Sequence, residues 1–140
     1  MRLATLKRLA TLARQAAGCI AVAALASAAT ASDFDGSKRL ICATVEARDC
    51  VSGSSCLNGI PDEIGAPAFM RIDFDRKVIV GPQRTTAIQI LERSDRQVLL
   101  LGTELGYGWA LALDRTTGRF SGSLADAGGV FVLLGSCTPL

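Results

Sequence analysis

The chain has 140 residues, 15 basic against 13 acidic side chains, no histidine and only 5% aromatic residues. The near balance of charge excludes the broad basic surface of a nucleic-acid-binding domain. The missing histidine removes the commonest proton shuttle and a frequent metal ligand.

The N-terminus reads as an address. Arg2, Lys7, Arg8 and Arg14 form a basic start without acids, an apolar run follows from Ala16 to Ala29, and Ala29-Thr30-Ala31 offers small residues for cleavage. This is the layout of a secretory signal peptide, with an apolar part too short for a stable membrane anchor. The expected division is a cleaved helical leader over 1–31 and one domain over 32–140, with Ser32 as first mature residue. The leader takes four basic residues, so the mature charge is −2. Ala16-Ala17-Gly18-Cys19 loosely resembles a lipoprotein cleavage motif, but Arg14 and Gln15 precede it and most of the apolar run follows it. Cys19 is therefore assigned to the discarded segment. The mature chain is expected in the periplasm or outside the cell, with no stable membrane insertion.

Four cysteines remain in that chain, an even number suited to two disulfides in an oxidising compartment. Cys42–Cys137 with Cys50–Cys56 is the preferred pairing, and Cys42–Cys50 with Cys56–Cys137 the alternative. The preferred short loop encloses only Val51-Ser52-Gly53-Ser54-Ser55. With neither a Cys-x-x-Cys pair nor a histidine, a zinc site is not expected.

Beyond the leader the pattern is that of strands. Leu40–Ala47 suggests an opening strand, and Arg48–Pro67 reads as a long polar loop closed by cysteines. Met70, Ile72 and Phe74 alternate with Arg71, Asp73 and Asp75, as on a half-buried strand. Lys77–Val80, Thr85–Glu92, Gln97–Thr103 and Trp109–Asp114 follow. Asp114-Arg115-Thr116-Thr117-Gly118 marks a hairpin whose glycine takes the left-handed conformation. Phe120–Leu124 and Val130–Ser136 close the chain. The expected fold is all-β, an antiparallel meander of about eight short strands, with a small barrel preferred over a two-sheet sandwich. Val98–Leu101 and Val130–Leu134 are apolar on both faces, which suggests strands covered on both sides or lining a cavity.

The segments Phe69-Met70-Arg71-Ile72-Asp73-Phe74, Ala112-Leu113-Asp114-Arg115-Thr116-Thr117-Gly118 and Gly135-Ser136-Cys137-Thr138 together resemble small exported bacterial proteins of unknown function. Those proteins carry an apolar-Asp strand, an Asp-Arg-x-Thr-Gly hairpin and a Gly-x-Cys ending. The resemblance implies a fold and export, and no activity. A fainter likeness, through Ser121-Gly122-Ser123 alone, is to periplasmic inhibitors of C-type lysozymes. Tyr107 lies elsewhere and no lysine follows Lys77, so no inhibitory residue is carried over.

The candidate functional groups are few. Tyr107 and Trp109, the only Tyr and Trp, flank Gly108 on one strand face. They suit sugar stacking or a protein anchor, or else a core beside a turn. Asp73, Asp75 and Glu104 are the carboxylates an acid–base mechanism would draw on. Neighbouring Arg71 and Lys77 favour an ordinary ion-pair stripe instead. Nine arginines against two lysines in the mature chain are scattered among acids. No catalytic residue, metal or cofactor is therefore assigned. The expected function is binding. Its first form is a small apolar ligand inside the barrel against Ile88, Leu100 and Leu111. The alternative is a protein-binding module, possibly an inhibitor of an envelope hydrolase, using Tyr107 and the 48–67 loop. A carboxylate-based hydrolase comes last.

Overall fold

The computed structural model describes residues 32–140. The leader expected over 1–31, with Cys19 and Ala31, lies outside the described residues. Among the described residues no helix is long and apolar enough to cross a membrane.

Period-two alternation builds the sheet. Along β8 (Tyr107–Asp114), Trp109, Leu111 and Leu113 are buried while Ala110 and Ala112 are half-buried and Asp114 is exposed. The same alternation buries Met70 and Ile72 on β3 (Phe69–Asp73), and Val98 and Leu100 on β7 (Gln97–Glu104). Successive side chains on a strand point to opposite faces, so each strand offers one apolar edge to a shared interior.

The remaining strands are β1 (Leu40–Val51), β2 (Leu57–Gly59), β4 (Val78–Val80), β5 (Thr85–Ala87), β6 (Ile90–Arg93), β9 (Arg119–Ala125) and β10 (Gly129–Pro139). All pair antiparallel in one sheet ordered β5-β4-β3-β1-β10-β9-β8-β7-β6, with β2 added to β1. The two edge strands of this half-barrel, β5 and β6, are separated in the chain by Ile88 and Gln89 alone. The Ile88 N–H donates to the Lys77 carbonyl at 2.8 Å, and the Gln89 N–H donates to the Leu101 carbonyl at 2.9 Å. The chain itself therefore passes from one edge of the sheet to the other at Ile88–Gln89.

Both disulfides join the preferred partners. Cys42 and Cys137 face each other directly in the register of β1 and β10, with Cα atoms 3.9 Å apart, while Cys50–Cys56 closes the short loop after β1. The bonds fit an oxidising compartment.

Two expectations need correction. Arg48–Pro67 is not one loop: β1 runs on to Val51, β2 returns beside it, and Pro61–Ile64 forms a 3-10 turn. The Cys50–Cys56 bond holds this hairpin where side-chain propensity is weak. Thr85–Glu92 is not one strand, because the segment exchanges its pairing partner from β4 to β7 at Ile88–Gln89. These changes turn about eight strands into ten strand segments.

One end of the barrel is closed by the strap of residues 32–38. Phe34 packs against the core, and its ring occupies the space that a Cβ at Gly118 would need. The Ser32 hydroxyl donates to the Arg115 carbonyl, and Arg93 Nη2 donates to the Gly36 carbonyl at 3.0 Å.

Candidate binding surfaces

The interior is packed. Ile88, Leu100 and Leu111, expected to line a ligand cavity, belong to one buried cluster with Ile72, Val98, Leu113 and Phe120. Leu100 has 0% of its surface accessible, so no water-sized space reaches it. Trp109, 8% exposed, is part of the same cluster, and among the described residues its indole N–H has no hydrogen-bond partner. The ring lies against Gly102, where an added Cβ would fall 2.3 Å from the indole. The aromatic pair of the sequence thus divides: Trp109 is core, and Tyr107 is half-buried at the barrel mouth.

The carboxylates do not gather. β3 ends at Asp73, whose Oδ1 accepts the Arg76 N–H at 2.9 Å, so Asp75 lies in the following turn and not on a shared strand face. Glu104 sits at the far end of β7, opposite Tyr107. Among the described residues no three His, Cys, Asp or Glu side chains cluster as a metal site would require.

At the mouth opposite the strap, several hairpin tips meet. Leu57 is opposite Asp49, Asp49 is opposite Phe131, and the Phe131 and Tyr107 rings lie 6.4 Å apart in a tilted contact. Tyr107 and residues 48–58 are therefore brought to one end of the barrel, while 60–67 return along β1 as far as Thr44. Val51 and Leu57 are exposed there, and Ile60 is exposed farther back along β1, past the Gly59–Ala47 pair. Gly59 lets Ile64 pack close, since a Cβ at 59 would sit 2.5 Å from its methyl carbon. This anchors the 3-10 turn and keeps Ile60 outward.

The β7–β8 turn adds the most informative residue of the rim. Leu105 has φ 48° and Gly106 φ 87°, a two-residue turn with both central residues left-handed. Asn-Gly is the sequence such a turn favours. A leucine stands here instead, with 72% of its surface exposed. Sequence reading missed it because Glu104–Gly106 registers only as a gap. The signal available was an X-Gly pair between two alternating runs.

A second feature lies on the outside of the sheet. A groove of about 850 Å3 crosses the outer face of β8, β9, β10 and β1, with Val45 on one side and the Ser94–Arg96 turn on the other. Val45 stands out because the β1–β10 register slips between Thr44 and Glu46, a bulge that re-aims the side chain.

No protein-family model, curated protein or solved structure matches this chain.

Proposed function

We propose that the protein is an exported binding domain that docks on another protein through the mouth carrying Val51, Leu57 and Leu105. Export rests on the leader over 1–31, cleaved before Ser32, and the two disulfides are consistent with a periplasmic or extracellular home. The burial of Ile88, Leu100 and Leu111 in one cluster favours the rim over the barrel's inside as the binding surface.

Leu105 is the observation that carries this reading. A left-handed backbone costs a side-chain-bearing residue about 1–2 kcal/mol, least for Asn or Asp. Burial normally rewards a leucine, and this one is in water. Neither local geometry nor packing within the monomer accounts for it. Residues held in such conformations concentrate where structure serves a partner. A cleft in another envelope protein, a hydrolase among them, is the partner class suited to a rigid hairpin that presents one aliphatic side chain. The Cys50–Cys56 loop holds the neighbouring apolar residues in place.

The test is the Leu105→Asn variant. Its midpoint of thermal unfolding should rise, since Asn tolerates the turn, and stability should gain about 0.5–1 kcal/mol. The same variant should lose whatever protein the oxidised wild type retains from envelope extract, with Asp75→Ala as the unaffected control. Undiminished capture by Leu105→Asn would overturn the rim as the docking site.

A further inference from the structure

The groove on the outer face has a chemistry distinct from the rim. Its floor is a row of cross-strand neighbours, Ala112, Ser121 and Leu134, small or apolar residues where a solvent face usually carries long polar ones, and the row ends on Glu46 of β1. The bulge lifts Val45, 77% exposed, on the β1 side, and the Ser94–Arg96 turn stands on the other.

Charge is distributed unevenly along it. Glu46 is engaged by Arg48, whose Nη2 lies 2.5 Å from Oε1. Asp114 Oδ1 accepts the N–H groups of Thr116 and Thr117 and the Thr117 hydroxyl, at 2.9, 2.7 and 2.9 Å. Its Oδ1 is thereby committed to the hairpin, while its charge still faces Arg96. Arg96 and Arg119 also line the groove, and among the described residues neither has a carboxylate within salt-bridge distance. The groove therefore joins an apolar half to two guanidinium groups that no salt bridge among the described residues engages. Its volume falls within the roughly 300–1,000 Å3 of small-ligand sites.

We infer that this groove binds a fatty-acid anion, with the acyl chain along Val45, Ala112 and Leu134 and the carboxylate on Arg119 and Arg96. Arginine suits this head group because its planar fork meets both carboxylate oxygens. The chain covers apolar surface that otherwise faces water. This site is independent of the rim at Leu105.

Calorimetric titration of the oxidised protein with dodecanoate, below its micelle concentration, tests the assignment, with dodecyltrimethylammonium as the cationic counterpart. Saturable one-to-one binding of the anion is expected, with much weaker binding of the cation. Arg119→Gln should weaken dodecanoate binding about tenfold, as loss of one charge-assisted contact does. Ala112→Phe, which fills the floor from the solvent side, should abolish it while the unfolding midpoint stays near that of the wild type. Leu105→Asn should bind dodecanoate normally, so failure of the rim and failure of the groove are separable. Absence of saturable binding, equal binding of the cation, or unchanged affinity in Arg119→Gln would each overturn the proposal.

Discussion

Gly102 shows how one missing side chain organises the core. The Trp109 ring lies where a Cβ at 102 would stand, and the Ala87 carbonyl is 2.7 Å from the same point. Gly102→Ala should therefore displace the indole or push the seam open. We expect a loss of about 1–3 kcal/mol, the usual range for overpacking, read from denaturant unfolding. An unchanged midpoint would mean that the indole does not rest there. Asp114 makes a different kind of prediction. Hydrogen bonds from the Thr117 N–H first, then its hydroxyl and the Thr116 N–H, hold this carboxyl below the ordinary aspartate value of 3.8. A depressed folded-state value means that its contribution is present above the unfolded value and is lost as pH falls through the folded one. The side chain is exposed, so the effect on stability is small, but its NMR titration should have a midpoint below 3.8. A midpoint at or above that value would contradict the turn geometry.

At the scale of elements, the two disulfides divide their tasks. Cys42 is fully buried and Cys137 nearly so, whereas Cys56 is exposed at a hairpin tip. The bridge joining β1 to β10 closes a loop of 95 residues' separation and is worth about 4–5 kcal/mol in the chain-entropy account. The short bridge is worth about 2 kcal/mol. Mild reduction followed by alkylation should label Cys50 and Cys56 before Cys42 and Cys137. Replacing Cys137 with Ser should destabilise far more than replacing Cys56. Simultaneous labelling of all four thiols would show that the buried bridge is not protected. The preferred pairing was legible in the sequence because Cys50–Cys56 encloses a small flexible loop and Cys42–Cys137 joins the opening strand to the closing one. Loop size alone does not separate it from Cys42–Cys50 with Cys56–Cys137. The strand β8 was legible for an equally local reason, since Trp109, Leu111 and Leu113 share one buried face. The break at Ile88–Gln89 was not. Thr85–Glu92 keeps a strand-like composition throughout, and what changes there is the pairing partner, a property of the closed sheet. Beyond Ala47 the strand was hidden because Arg48 and Asp49 break the apolar pattern near the barrel mouth. There a neighbouring strand and a disulfide decide the conformation.

At the scale of the molecule, a small chain closes its sheet by passing from one edge to the other and fills the interior with aliphatic and aromatic side chains. What remains for function is the outside, which the sequence marked least clearly. Exposure at Leu105 and Val45 depends on a two-residue turn and a one-residue bulge, neither of which has an apolar period to betray it. The apolar character of Val98–Leu101 and Val130–Leu134 on both faces has a physical outcome in the structure. One face enters the core, and Leu134 on the other helps to floor the groove. Binding by the outer surface of a rigid shell is the central claim.

Site-specific photocrosslinking in the protein's own envelope tests that claim most directly. A benzophenone side chain at position 105 should yield a discrete adduct with one partner, while the same group at Asp75, exposed in the β3–β4 turn at the other end, should yield none. An adduct from position 75 and not from 105, or none from 105 at native expression, would contradict docking through the mouth.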